Sequence, residues 1–271
     1  MIQKGKGDSV VSLLKELKRR VLTAFILIPL FLGILYLGKY AFAALIIVFI
    51  TGAFLEFATL YDLGIRIKIT GMIWLITLII LTVFERTSLV ILLPLAYFFL
   101  IPFFWNKGDS IKKLSLGIFI LVYLSFGAVT VYFIRTFFGF YHALSFFLII
   151  WTFDSAAYLS GSLWGKRRLA VKISPRKSVE GYLLGILFTV PIVIAMKYIG
   201  IYRLPLVKAI LGGVFISILS QVGDLVESAM KREVGVKDSS TIFPGHGGFL
   251  DRVDSIVFTA PFYFIFLLRV I

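Results

Sequence analysis

The densest chemistry in the chain lies between Ser228 and Asp254. The run reads Ser228-Ala-Met-Lys231-Arg232, then Lys237-Asp238, then Gly245-His246-Gly247-Gly248, and ends in Asp251-Arg252-Val253-Asp254. Glycines permit positive φ and close backbone approach, and free N–H groups ahead of a helix favour an anion. Asp251 and Asp254 stand i,i+3 at the start of the last apolar run, so one helix face carries both. Asp224 and Glu227 share a face in the same way at the end of the preceding run, and Asp154 sits near the end of an earlier one. Crowded carboxylates repel unless a cation joins them. Oxygen donors with no cysteine and no usable histidine pair point to Mg²⁺, which takes one or two carboxylates and lets phosphates and water complete its octahedron. The expected metal ligands are Asp224, Asp251, Asp254 and Asp154, with a second cation left open. The plainer reading pairs some of these acids with Lys231, Arg232 or Arg252, and for Glu227 an ion pair is the expectation.

A second polar block, Ser174-Pro175-Arg176-Lys177-Ser178-Val179-Glu180-Gly181, opens another apolar run. Ser174 or Ser178 is expected to cap the helix, Pro175 suits its first turn, and Arg176 and Lys177 are expected to face the polar side. These cations, with Lys166-Arg167-Arg168, either hold a triphosphate or answer to anionic headgroups and topology. Gly161-Ser-Leu-Trp-Gly165-Lys166 lacks Walker A spacing. His246 is a candidate phosphate contact, and His142 reads as structural.

The scaffold that must position these groups is a membrane one. Apolar residues make up 60% of the chain and charged residues 15%, against roughly a quarter charged in soluble domains. Spans need about 20 apolar residues each, and nine fit: about 21–38, 41–60, 69–84, 87–104, 114–134, 138–161, 181–200, 204–229 and 253–270. Lipid cannot satisfy a strand's backbone groups and no barrel alternation is present, so the expected fold class is all-α. With no cysteine, thiolate chemistry and disulfides are excluded. The net charge of +14 does not point to nucleic acid. Of the 28 Lys and Arg, 21 fall in the tail and the loops 61–68, 105–113, 162–180 and 230–252, all on one side of the nine spans. The positive-inside rule then gives N-in and C-out. Residues 8–20 read as an interfacial helix, with no short apolar core and cleavage site of a signal peptide. Residues 1–137 are expected to support and 138–271 to hold the site, within one membrane domain. Glu56 is the only acid deep in an apolar run of the first five spans, and packing against a neighbouring Lys or Arg is its plain account.

The C-terminal half resembles the phosphatidate cytidylyltransferases (CDP-diacylglycerol synthases). Their signature is matched by Ser228, Lys231, Arg232, Lys237, Asp238, His246, Gly247, Gly248, Asp251, Arg252 and Asp254. Asp154-Ser-Ala-Ala-Tyr158 with Gly165-Lys166, Ile173-Ser-Pro-Arg-Lys-Ser178 with Glu180-Gly181, and Gln221-Val-Gly-Asp224 look alike too. Ser178 and Val179 depart from the commoner Thr-Trp. The resemblance implies CTP + phosphatidate → CDP-diacylglycerol + pyrophosphate, dependent on Mg²⁺. It implies catalytic roles for Asp224, Asp251, Lys231 and Arg232. It implies substrate contacts by Ser174, Arg176, Lys177, Lys166, Lys237, His246, Gly247, Gly248 and Arg252. It also implies a homodimer in the cell membrane with its site toward the cytoplasm. Two rivals fit the composition: a CTP-dependent polyprenol kinase, and a transporter with an intramembrane carboxylate site, which calls for mid-membrane acids and paired broken helices.

Overall fold

A computed structural model of the chain describes Phe25 and residues 27–86, 111–243 and 247–269. The expected interfacial helix 8–20, the expected span 87–104 and the candidate His246 lie outside the described residues. Eight helices are described: α1 Leu27–Leu37, α2 Lys39–Leu60, α3 Ile65–Val83, α4 Ile111–Phe137, α5 Gly139–Trp164, α6 Val179–Tyr198, α7 Leu206–Glu233 and α8 Leu250–Leu268. By length and composition α2 to α7 can each cross a membrane. The chain is therefore an all-α polytopic membrane protein, as its composition requires. The outer surface explains why the helices show little polar face. Phe126, Leu187, Phe188, Val207 and Leu211 all point outward, where lipid takes the place of water.

The helices approach closely through small residues, as membrane helices do without a hydrophobic drive between them. A Cβ on Gly127 would collide with Val257, which sets α4 against α8, and one on Gly213 would collide with Val193, which sets α7 against α6. Gly181 and Gly185 of α6 likewise lie against Ala157 and Gly161 of α5.

Two polar ends result. At one, Tyr61 at the end of α2 donates its hydroxyl to the Met230 carbonyl near the end of α7 (2.9 Å). There too Lys113 at the start of α4 clasps Asp62 at 2.8 Å, which holds that carboxyl below the usual carboxylate range. At the other end, Arg135 Nε donates to the Leu35 carbonyl (2.9 Å). A polar knot also sits there. Tyr202, Ser145 and Tyr263 bond one another at 2.6–2.9 Å, and burial pushes the Tyr202 phenol above its ordinary value. His142 belongs to this knot's neighbourhood, with Nδ1 2.8 Å from the Phe138 carbonyl.

The one element class absent from the expectation is a small hairpin. β1 Arg168–Ala170 pairs antiparallel with β2 Ser174–Ser178, Arg168 opposite Ser178 and Ala170 opposite Ser174. Pro175 therefore lies in an edge strand, where its missing N–H is harmless, rather than in a first helical turn. Ser178 caps α6 by accepting the Gly181 N–H at 3.1 Å.

Candidate active site

The last turns of α7 and the first turn of α8 meet at Lys231. Its ammonium, 9% exposed, reaches Glu227 Oε2 at 2.6 Å and also bonds Asp251 Oδ1. Glu227 thus takes the ion pair expected of it. One cation between two buried carboxylates removes much of the cost of burying either. Asp251 is almost fully engaged. Its other oxygen accepts the Ser239 N–H (2.9 Å) and the Gly248 N–H (2.8 Å) and lies 2.7 Å from the Ser239 hydroxyl, whose single proton it shares with Glu56. The glycines make this fit possible. Gly247 has φ +75° and leaves no room for a Cβ beside the Asp251 carboxylate, while a Cβ on Gly248 would strike Glu56 and Ser239. The loop closes on itself where the Phe243 N–H donates to the Gly247 carbonyl (2.9 Å).

A second group of acids stands beside the first. Asp224 on α7 pairs with Lys177 of β2 at 2.5 Å and accepts the Ser228 hydroxyl at 3.2 Å. Asp154 on α5 accepts the Ser220 hydroxyl at 3.4 Å. Asp154 is exposed beside these groups. There it feels the charges of Asp224, Lys177 and Arg252. Asp254 feels Asp224, Asp154 and Arg252 in turn, and its own side chain accepts the Ser255 N–H at 2.7 Å. Gly223 allows this grouping, because a Cβ there would lie 2.8 Å from Phe258 Cβ and 3.1 Å from the Asp254 carbonyl.

The four expected metal ligands therefore divide. Asp154, Asp224 and Asp254 form one neighbourhood, and Asp251 is held across from it by Lys231 and the loop. Among the described residues no three His, Asp or Glu are already drawn together as a metal site. The donor chemistry still fits a hard cation: three carboxylates face two cationic side chains, Lys177 and Arg252, all through oxygen.

The hairpin brings the cationic block over these acids. Lys177 turns onto Asp224, while Arg176, Arg168 and Lys166 are exposed. Ser174 begins β2 and is half-buried. Glu180 fastens the approach to the hairpin, accepting the N–H groups of Lys166 (2.9 Å) and Arg167 (3.0 Å) and pairing with Arg167 Nε at 3.0 Å. Arg232 grips the hairpin's turn by donating to the Ile173 carbonyl at 3.1 Å. Arg252 is exposed, and Lys237 is exposed with Asp238 3.9 Å away.

Residues 18–270 match the family model described as the cytidylyltransferase family. The chain belongs to that family. A phosphatidate cytidylyltransferase of Bacillus subtilis (strain 168) is 32% identical over 280 residues, covering 93% of this chain and 98% of that protein. Phosphatidate cytidylyltransferases of Staphylococcus haemolyticus (strain JCSC1435) and Staphylococcus aureus (strain COL) are 42% and 44% identical. Each of those matches covers 48% of this chain and 50% of the relative.

Sequence reasoning missed several residues that build this cytidylyltransferase's site. Glu56 of α2 accepts hydrogen bonds from Ser239, Ser240, Phe249 and Leu250 rather than packing against a cation. Tyr123 of α4 donates to the Asp254 carbonyl at 3.1 Å. An acid deep in an apolar run was the available signal for Glu56. Tyr123 and the Ser239-Ser240 pair carried none. Beside Asp154, a groove of about 570 Å³ runs along α5 and α6, lined by Trp151, Thr152, Ser155, Ala156, Leu159 and Phe188 among others.

Proposed function

We propose that this chain transfers the CMP moiety of CTP to phosphatidate, giving CDP-diacylglycerol and pyrophosphate, at the cytoplasmic face of the cell membrane. The observation that carries this reading is the meeting of two acidic groups with a cationic hairpin at one end of a helical bundle. Two anionic substrates must be held together there. A phosphate oxygen of phosphatidate attacks the α-phosphorus of CTP; the new P–O bond forms as the bond to the bridging β-oxygen breaks, and pyrophosphate leaves with that electron pair. The nucleophile is already anionic, so no strong general base is required. Charge on the reacting phosphates must instead be offset.

In this reading Arg176, Lys166 and Arg252 hold the triphosphate, with Ser174, Gly247 and Gly248 offering further polar contacts and Lys237 an outlying cation. Lys177 is poised to exchange Asp224 for phosphate. Lys231 keeps Asp251 ionised and fixed, and Arg232 ties the hairpin to α7. When bound, Mg²⁺ held by Asp224 and Asp254, with Asp154 and Asp251 adjoining, supplies a Lewis acid that draws charge from the phosphates. The groove along α5 gives the lipid's acyl chains an apolar bed next to Asp154. Nine spans with N-in and C-out, and a homodimer, complete the proposal.

The rivals make different products or need different placement. A polyprenol kinase moves the γ-phosphate and releases CDP. A transporter is disfavoured because the acids gather at one end of the bundle. Purified protein given phosphatidate, Mg²⁺ and CTP labelled at the α or the γ phosphate decides the matter. Lipid-bound label from α-labelled CTP alone, with pyrophosphate in solution, is the expected result. Label on the lipid from γ-labelled CTP alone overturns the assignment.

A further inference from the structure

Glu56 is a buried carboxylate, 8% exposed, one turn before the end of α2. No salt bridge forms to it among the described residues. It is surrounded by hydrogen-bond donors, and they all come from one short stretch of chain far away in sequence. Oε1 accepts the Ser240 hydroxyl at 2.6 Å and the Phe249 N–H at 2.9 Å. Oε2 accepts the Ser239 hydroxyl at 2.7 Å and the Leu250 N–H at 2.9 Å.

Two of these donors are first-turn amides of α8, which have no partner within their own helix. Helices usually satisfy them with a local serine, threonine or aspartate. Phe249 occupies the capping position here and has no side-chain cap. The cap comes instead from α2, and as a carboxylate it also suits the positive end of the α8 dipole. The loop is shaped around it, since a Cβ on Gly248 would strike both Glu56 oxygens.

The link to chemistry is direct. The Ser239 hydroxyl lies 2.7 Å from both Glu56 Oε2 and Asp251 Oδ2, and the Gly248 N–H between the two acids donates to Asp251. Among the described residues Glu56 itself bonds only these donors. It holds the two ends of the loop, at Ser239-Ser240 and at Phe249-Leu250, and the loop in turn holds Asp251.

We infer that Glu56 is a positioning residue, which clamps Ser239-Ser240 onto the Phe249-Leu250 start of α8 so that Asp251 and the Gly247-Gly248 backbone are in place for the nucleotide. The inference rests on the transferase reading, but its physical core concerns the loop alone. Glu56→Gln keeps the volume and one acceptor oxygen; its amide then faces a hydroxyl, which can turn to accept, and a backbone N–H, which cannot. Glu56→Ala removes every acceptor.

Hydrogen exchange of the protein without substrates, compared with CTP kinetics across an Mg²⁺ series, tests this. Amides 239–243 and 247–251 are expected to exchange at least tenfold faster in Glu56→Ala and by a smaller factor in Glu56→Gln, with α5 and α6 amides unchanged. KM for CTP is expected to rise about tenfold in Glu56→Ala, with Glu56→Gln between it and wild type. Unchanged loop exchange in both variants overturns the clamp. Uniformly faster exchange along the chain, with activity lost only in proportion to folded protein, reduces Glu56 to a general stability role and also overturns it. If wild type moves no α-label from CTP to phosphatidate, the transferase reading falls, and the exchange arm still decides the clamp.

Discussion

Asp224 and Asp251 are both expected to be essential, and the structure separates what each contributes. Asparagine at either position keeps the volume and removes the charge. At Asp251 one oxygen bonds Lys231 and the other takes the Ser239 and Gly248 N–H groups and shares the Ser239 hydroxyl proton with Glu56. An amide group must therefore point at an ammonium or at two backbone N–H groups, and no rotation satisfies both sides. Hydrogen bonds to charged groups contribute about 1.5–3 kcal/mol and neutral ones about 0.5–1.5. Weakening two and a shared third and losing the Lys231 bond gives about 5 kcal/mol. Membrane contacts measure lower, about 0.6–2 kcal/mol each, which brings the expectation for Asp251→Asn to about 2–4 kcal/mol. At Asp224 the partner Lys177 is 21% exposed and the carboxylate 33% exposed, so screening leaves the pair worth about 0–1 kcal/mol. Thermal unfolding in detergent should then show Asp251→Asn melting lower by on the order of 5–15 °C and Asp224→Asn within about 3 °C of wild type. CMP transfer should fall by at least about 10²-fold in both, the scale of losing one strong electrostatic stabiliser. Equal melting temperatures for the two variants, or the reverse order, would refute the claim that Asp251 is the structural keystone of the loop. Normal turnover in either well-folded variant would remove that acid from the reaction.

Gly223→Ala pushes α7 from α8 where a Cβ meets Phe258 and the Asp254 carbonyl; turnover should drop roughly 10-fold or more, since a displacement near 1 Å at a site can cost about 10², and an unaltered rate would show that the Asp224–Asp254 spacing is not critical. Arg176→Ala should raise KM for CTP with little change in the lipid dependence. Lys177→Ala should do the same and also alter the Mg²⁺ dependence, because it frees Asp224; identical metal curves for the two variants would argue against that exchange. Reporter fusions at the two ends should place the N-terminus in the cytoplasm and the C-terminus outside, and finding both on one side would sink the nine-span topology.

The sequence made the membrane class legible because composition alone decides it: helices such as α2 and α6 are apolar on every side, and only a bundle in lipid tolerates that. The acids were legible because a carboxylate in an apolar run is costly and needs a reason. Spacing went further, since i,i+3 predicts a shared face and Gly223 then allows Asp224 and Asp254 to come close. What spacing cannot supply is the choice of partner. Lys231, Arg232 and Arg252 were all open as partners for these acids, and it is Lys231 that takes Asp251, with backbone N–H groups around it. Lys177 and Arg176 are neighbours in sequence, yet one is drawn onto Asp224 and the other is left exposed. The hairpin itself was invisible to hydropathy, because a few polar residues between two spans carry no periodic signal.

The same limit explains why residues before 137 read as scaffold alone. Glu56, Tyr61 and Tyr123 each bond the α7–α8 region across 131 to 194 positions of sequence. Local pattern carries no trace of such pairs. Their effect is cumulative at one place: Tyr61 holds the end of α7 through Met230, Tyr123 holds α8 through the Asp254 carbonyl, and Glu56 holds Ser239-Ser240 and the start of α8. Gly247 and Gly248 leave no room for a Cβ against Asp251, Glu56 and Ser239, so the fit depends on where those side chains are held. A glycine loop with acids and cations can therefore act as a site only where rigid neighbours define its shape, and here α2 and α4 supply those neighbours.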